Sequence, residues 1–222
     1  MHSILLIGGG HAHITALRWL ASYPRRDVRV TLINPAEIFA YSGMVPGYVA
    51  GHFKRTDVEV DLVHLSQKAG AHLIIDHVQT LLPDKRTLET ETGKTLQFDT
   101  VSIDVGVTSA PELTSVSESD LIVKPLPNFL EAWDKLIITA NQASTFPSIA
   151  IIGGGLGGVE LALSIRHRAN AFPNASHVNI SLVERSNSIL AGSASSLRKA
   201  LRQKLKLSGI HVYEGSGIQK HE

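Results

Sequence analysis

The sequence of 222 residues contains no cysteine, so a disulfide scaffold, a thiolate metal site and a thiol nucleophile are all excluded within it. Charge of either sign is nowhere in excess: 21 Lys and Arg stand against 20 Asp and Glu, a formal net charge of +1. That balance lacks the basic bias of a nucleic-acid surface, and no nucleic-acid partner is expected. Long apolar runs are missing too. The first, Ile4 to Ile7, has no basic leader and stops at three glycines, too short for a signal peptide or a transmembrane segment. A cytoplasmic address is therefore expected, and the sequons at Asn174 and Asn179 are chance matches. Hydrophobic residues at 43% against 18% charged place the chain among folded globular proteins rather than disordered ones. Its length suits one and a half to two domains of roughly 100–200 residues each.

The most informative feature present is an internal repeat. Ile7-Gly8-Gly9-Gly10-His11-Ala12-His13-Ile14 aligns without gaps to Ile152-Gly153-Gly154-Gly155-Leu156-Gly157-Gly158-Val159. Each copy follows a short apolar run, Ile4 to Ile7 or Ile149 to Ile152, that reads as a buried parallel strand. Each precedes a helical pattern, with Ile14, Leu17 and Leu20 on the first inner face and Leu156, Val159 and Leu163 on the second. A β-branched strand then follows in both, Val28 to Ile33 and Val178 to Val183. The pattern is strand, glycine turn, helix, strand, twice over, and predicts an α/β chain with two Rossmann-like dinucleotide-binding domains.

Between the copies, Leu73 to Ile75, His77 to Leu82, Thr87 to Glu91 and Leu96 to Ile103 read as short strands with turns at Asp84-Lys85 and Thr92 to Lys94. They predict an antiparallel β-meander inserted into the first domain, with Asp99 to Gly106 returning to the main sheet. A polar stretch after Pro111 leads to a helix near Asn128 to Ala140. The expected organisation is thus a first domain over 1–110, a connector with a helix over 111–146, and a second domain over 147–222. The second domain continues with a helix near Ser193 to Ser208, carrying Leu197, Leu201 and Leu205 on one face, and a strand at Ile210 to Tyr213. It then ends with fewer strands than a doubly wound domain normally has, so it is expected to be incomplete.

In a GxGxxG turn the first glycine permits the tight strand-to-helix reversal. The second lets backbone approach a pyrophosphate, and the third lets helix and strand pack closely. The second copy meets every requirement with Gly153, Gly155 and Gly158. Glu184 ends the next strand, where a carboxylate accepts from a ribose 2′-hydroxyl and favours NADH, while Arg185 beside it leaves NADPH open. The first copy is less regular. Its third position is His13, which would crowd the helix–strand contact unless the side chain leaves it, and its strand ends in the neutral Asn34.

Taken in order, the first fingerprint, the meander, the Asp-Val-Gly106 crossover and the second glycine repeat resemble the pyridine nucleotide-disulfide oxidoreductase superfamily, flavoproteins with two dinucleotide-binding domains. Gly8-Gly-Gly-His-Ala-His13, Tyr41-Ser-Gly-Met-Val-Pro-Gly47 with Ala50-Gly-His52, and Val123-Lys-Pro125 are similar to the branch related to type II NADH dehydrogenases and to the domain fused to selenide water dikinase. The resemblance covers essentially the whole chain. It implies FAD in the first domain, with Gly8, Gly10 and His11 near the pyrophosphate and Gly9 and Ala12 in the same turn. Asn34 would lie at the ribose, Val78 near the adenine, and Pro46 and Gly106 on the flavin side. NAD(P)H, with NADH preferred, would occupy the second domain, with Glu160 on the nicotinamide side.

The resemblance further implies an FAD-dependent NAD(P)H oxidoreductase that passes a hydride from nicotinamide to flavin and on to an unidentified electron acceptor. Because the superfamily has further segments beyond the NAD domain, a truncated nucleotide-binding remnant without its own turnover is the alternative. Without cysteines, the dithiol variants are excluded for these residues. Hydride transfer is cofactor chemistry that needs no acid or base, so no catalytic side chain is assigned. No metal site is expected: His11 and His13, two apart on a helix, face different ways. Tyr41, Met44 and Tyr48 read equally well as packing residues. Arg198, Lys199, Arg202, Lys204 and Lys206 give the last helix a basic side that suits a peripheral membrane or an acidic partner, although a solvated face is the favoured reading.

Overall fold

The computed structural model describes residues 1–106 and 120–217. The polar stretch expected after Pro111 lies outside them. In chain order the elements are β1 (His2–Ile7), α1 (His11–Ser22), β2 (Val28–Asn34), β3 (Ile38–Ala40), α2 (Val45–Ala50), α3 (Arg55–Val58), β4 (Glu59–Asp61), α4 (Leu62–Ala69) and β5 (His72–Ile75). There follow β6 (Val78–Leu82), β7 (Thr87–Thr90), β8 (Thr95–Gln97) and β9 (Thr100–Ile103). The remainder is α5 (Leu126–Ala143), β10 (Ile149–Ile152), α6 (Leu156–Ala169), β11 (Ile180–Val183), α7 (Ser195–Leu207) and β12 (Ile210–Tyr213). The chain divides into two compact units, one of residues 1–41 and 56–106, the other of 42–55 and 120–217.

The first unit is built on a parallel sheet in the order β5-β2-β1-β9. Successive side chains of a strand point to opposite faces, and both faces of β1 are covered, which is why it reads as an unbroken apolar run. Leu5 and Ile7 join Ile33, Ile74, Leu88 and Phe98 on the face beneath the meander. Leu6 joins Ile14, Leu17, Val30, Leu32 and Leu62 on the face beneath α1 and α4. The meander is the antiparallel sheet β6-β7-β8. Its first strand is joined to β5 through Asp76, whose carboxylate accepts from the His77 N–H at 2.8 Å and from the Thr92 hydroxyl at 2.5 Å.

Two expectations change here. Leu73 to Ile75 leave the meander: β5 pairs in parallel with β2 at the edge of the main sheet. The expected run Leu96 to Ile103 is two strands, β8 in the meander and β9 beside β1, where Asp99 to Gly106 is expected to rejoin the main sheet. A short apolar run carries no mark of which sheet it joins, so periodicity does not separate the two cases.

The second unit has a parallel sheet β10-β11-β12 with α6 and α7 against it. The inner face of α6 is Val159, Leu161, Ala162, Ile165 and Ala169. Of the expected row Val159 lies on it, Leu163 is half-buried, and Leu156, which opens the helix, is 56% exposed. On α7 only Leu205 is buried; Leu197 is 42% exposed, so the predicted leucine face is covered at its C-terminal end alone. On its basic side Arg202 pairs with Glu214 at 2.5 Å.

Helix α5 starts two residues before the expected Asn128 and packs Trp133 against Phe129 and Phe146, with Phe172 beyond. Asn174 fixes Phe146 by accepting its N–H and donating to its carbonyl, both at 2.9 Å. Segment 42–55 joins this unit. Its helix α2 packs on α6, the Tyr48 hydroxyl donates to Asp134 on α5, and Arg55 pairs with the same carboxylate at 2.8 Å. Burial, then the bond to Asp134, push the Tyr48 phenol up to about 12.

Candidate functional site

Each unit presents one glycine turn where its first strand passes into the helix that follows it, and the two turns share a bonding scheme. Gly8 and Gly153 adopt φ of +88° and +108°, left-handed backbone that favours glycine. Each donates its N–H to the end of the neighbouring strand, Gly8 to the Ile33 carbonyl and Gly153 to the Val183 carbonyl, both at 2.8 Å. The middle glycine of each then donates to the side chain that ends that strand. Gly9 bonds Asn34 Oδ1 at 2.8 Å, and Gly154 bonds Glu184 Oε2 at 2.7 Å.

Asn34 therefore lies where the sequence predicts, at the strand end, but buried, with both ends of its amide bonding the turn region, since Nδ2 donates to the Ala36 carbonyl at 2.6 Å. Glu184 Oε1 accepts from the Ser186 N–H at 2.7 Å. The N–H groups of Ser186 and then Gly154 hold the Glu184 carboxyl below the usual carboxylate range, because both bonds favour its charged form.

The third positions differ. A Cβ at Gly158 would fall on the Gly153 carbonyl, so α6 crosses its turn at the closest approach backbone allows. His13 does not leave the helix–strand contact. It is 3% exposed, with Nδ1 2.6 Å from the Gly8 carbonyl and Nε2 2.9 Å from the Ser102 hydroxyl. A carbonyl only accepts, so Nδ1 carries the hydrogen and Nε2 accepts from Ser102. At the first turn, therefore, an imidazole bonded at both nitrogens lies where the second turn has bare backbone contact.

The space in front of the turns differs as well. Among the described residues nothing lies within 4 Å of a Cβ placed at Gly155 or Gly157, so the N-terminus of α6 is open among them and its N–H groups suit an anion. At the first turn a Cβ on Gly10 would fall within the Asp104 carboxyl group. Asp104, which follows β9, accepts the Ala12 N–H through Oδ2 at 2.9 Å and the Gly10 N–H through its own carbonyl at 3.1 Å. In the sequence Asp104 is legible only as part of the Asp-Val-Gly106 crossover, and Ser102 and Ser186 carry no mark of their role. The signal for Asp104 was an acid one residue past a sheet strand, next to the strand that opens the fingerprint.

The other candidates distribute as follows. The His11 ring lies 4.2 Å from that of Tyr41 and 5.7 Å from that of Phe39. Val78 opens β6 and packs on the core beneath the meander. Gly106 has φ +71° and belongs to the first unit, whereas Pro46, in the first turn of α2, belongs to the second. Glu160 is exposed on α6. Among the described residues no group of three or more His, Asp or Glu could hold a metal ion, and no helix is long and apolar enough to cross a membrane.

A cavity of about 570 Å³ in the second unit, lined by Arg166, His167, Lys204 and His211 among others, lies at the starts of β11 and β12. Ligands of open α/β sheets bind beyond the carboxyl ends of the strands, where the glycine turns are. The turns therefore carry the functional argument. With glycine cradles backed by a strand-end acceptor, the residues present fit a dinucleotide pyrophosphate at the second turn as they stand, and at the first with the Asp104 side chain turned aside.

Comparison with known proteins agrees with this geometry. Residues 2–222 match the family model described as pyridine nucleotide-disulphide oxidoreductase. The NADH dehydrogenase-like protein YutJ of Bacillus subtilis is 28% identical over 236 residues, covering 100% of this chain and 59% of its own length. The sulfide:quinone oxidoreductase of Aquifex aeolicus superposes with a TM-score of 0.80 at 19% identity, covering 100% of this chain and 53% of that one. NDH2 of Plasmodium falciparum, solved with NADH, gives 0.79 at 16% identity, covering 100% and 49%. The chain thus spans about half the length of the proteins it matches, and the structural likenesses establish the fold.

Proposed function

We propose that this chain, which belongs to the pyridine nucleotide-disulphide oxidoreductase family, holds FAD at its first glycine turn and NAD(P)H at its second, as the core of an oxidoreductase that reduces flavin with nicotinamide. The observation that carries the reading is the pair of strand, glycine turn, helix, strand units in one chain, each with its middle glycine bonded to the residue ending the neighbouring strand. FAD would supply the two-electron chemistry. The protein's own groups position and select. The turn Gly8, Gly9, Gly10, His11 and Ala12 offers backbone N–H groups at the α1 N-terminus to a pyrophosphate. Asn34 lies on the ribose side, Val78 on the adenine side, and Pro46 and Gly106 on the flavin side.

At the second turn Gly153, Gly155 and Gly158 admit the NAD(P)H pyrophosphate, with Glu160 on the nicotinamide side. Glu184 remains an anion held in place by two N–H groups, which disfavours a 2′-phosphate and selects NADH. With no cysteine in these residues, electrons pass from the flavin to the acceptor without a disulfide of this chain.

The test is a visible spectrum of the purified 222-residue protein after incubation with FAD, before and after NADH is added without oxygen. The flavin bands are expected to appear on the protein and to bleach with NADH, and to return when the acceptor is supplied, with quinone, ferricyanide and dioxygen tried in turn. Protein that stays colourless after incubation with FAD refutes the reading. Flavin that binds but does not bleach leaves a nucleotide-binding protein without turnover.

A further inference from the structure

The first glycine turn carries an anion of its own. The Asp104 carboxylate accepts the Ala12 N–H at the start of α1, at 2.9 Å, and lies over the Cα of Gly10, the glycine whose missing side chain should leave room for a phosphate. The chain contains its own control: among the described residues, the corresponding Gly155 of the second turn has nothing within 4 Å of a Cβ built there. Gly10 itself, the N-cap of α1, has no side chain to cap the helix, and Asp104 does so from β9's end. It thereby neutralises the positive helix terminus that a pyrophosphate would otherwise meet.

We infer that Asp104 is a latch on the first dinucleotide site: its carboxylate stands in for one phosphate oxygen, holds the turn formed without ligand, and must swing off Ala12 before FAD binds there. The inference rests on the proposed FAD reading and adds a residue that sets the affinity of that site. Its backbone remains a fixed part of the turn, because the Gly10 N–H donates to the Asp104 carbonyl at 3.1 Å. Only the side chain need move, and it is half-buried with solvent on one side. A site competent for only part of the time binds more weakly by that fraction. The latch also keeps a second negative charge beside the pyrophosphate unless it turns well aside, so flavin affinity is lowered by both occupancy and repulsion.

The experiment compares wild type, Asp104→Ala and Asp104→Asn as full 222-residue chains, measuring FAD affinity by quenching of flavin fluorescence and flavin-free stability by urea denaturation. Alanine is expected to tighten FAD about tenfold, equivalent to about 1.4 kcal/mol. Asparagine keeps the shape and an acceptor for Ala12 but lacks the charge, and falls between. The stability of the flavin-free protein is expected to rank the opposite way, with wild type highest. Opposed rankings are the signature of a latch, since a residue that merely shapes the turn would lower stability and affinity together. FAD binding by wild type that both variants leave unchanged or weakened overturns the inference alone. No FAD binding by any of the three overturns the flavin reading and the latch with it.

Discussion

Replacing His13 by alanine tests how the first turn tolerates a side chain where its partner has glycine. The substitution removes the hydrogen bond from Nδ1 to the Gly8 carbonyl and leaves that carbonyl, in a buried glycine, without the donor. An unsatisfied buried acceptor costs about 1–3 kcal/mol. The Ser102 hydroxyl is on an exposed residue and can bond water instead, so its loss adds little. The vacated imidazole space, which neighbouring side chains partly refill, adds about 1 kcal/mol more. The total is about 3 kcal/mol, a large share of the ~5–15 kcal/mol that a domain commands.

The chain provides an assay for it. Its 2 tryptophans fall one in each unit, Trp19 on α1 and Trp133, fully buried, on α5. Urea unfolding is followed by fluorescence in Trp133→Phe and Trp19→Phe backgrounds, which isolates each unit's transition. His13→Ala should shift the Trp19 transition and leave the Trp133 transition in place. His13→Asn, whose amide nitrogen superposes on Nδ1, should recover about half of the loss. A Trp19 shift below about 1 kcal/mol, within the range of an ordinary surface substitution, would refute the buried-donor account.

Glu184→Gln keeps an acceptor for the Gly154 N–H but removes the charge, and should erode the preference for NADH over NADPH by about tenfold, read from the two coenzymes' rates of flavin bleaching. The same variant has a pH signature. The Glu184 carboxyl is held below its ordinary 4.5, so its stabilisation is complete above about that pH and is lost as pH falls through the depressed folded value. The acid limb of the Trp133 transition should flatten in the variant. At the alkaline end the Tyr48 phenol is raised from 10.0 to about 12. Its contribution is intact below pH 10 and lost as pH rises toward 12, and Tyr48→Phe should abolish that slope at a cost of about 1 kcal/mol at neutral pH. Gly158→Ala drives a Cβ into the Gly153 carbonyl. It should lower the second unit's stability by about 3 kcal/mol and abolish bleaching by NADH while FAD still binds, which equilibrium titration of each coenzyme measures.

What the sequence makes legible is what repeats or alternates. The two glycine turns, β1 and most of the meander follow from local pattern, because a turn that needs positive φ and a strand buried on both faces each leave a mark on adjacent residues; β10, expected to be buried like β1, instead has Ala150 and Ile152 exposed. The assignment of Leu73 to Ile75 to the main sheet was not legible, because only pairing with β2 decides it. The inner face of α6 was misread because Leu156 satisfies helical spacing yet lies at the first position, where the helix has not reached its sheet. Segment 42–55 joins the second unit through packing of α2 on α6 and through the Tyr48, Arg55 and Asp134 cluster, made by residues about eighty positions apart. No window of sequence holds both halves of such a bond.

The site was readable to the same depth. His13 and Asn34 were recognisable as departures from a pattern, yet their effect depends on partners supplied by β9 and by the turn itself. Placed side by side, the two turns differ in where the carboxylate stands. At the second it comes from behind, as Glu184 on the Gly154 N–H, leaving the α6 N-terminus open to a phosphate. At the first the residue behind is the neutral Asn34, and the carboxylate comes from in front, as Asp104 on the Ala12 N–H. On the proposed reading, one arrangement would select among ligands by charge at the ribose end, and the other would set how readily any phosphate is admitted. Asn34→Asp keeps the acceptor for the Gly9 N–H, loses the donor to the Ala36 carbonyl and adds a charge at the ribose end, so it should discriminate more strongly against a 2′-phosphorylated adenosine nucleotide in an equilibrium titration while leaving the latch intact. Asp104→Ala should change affinity alike for FAD and for ADP, which share the pyrophosphate.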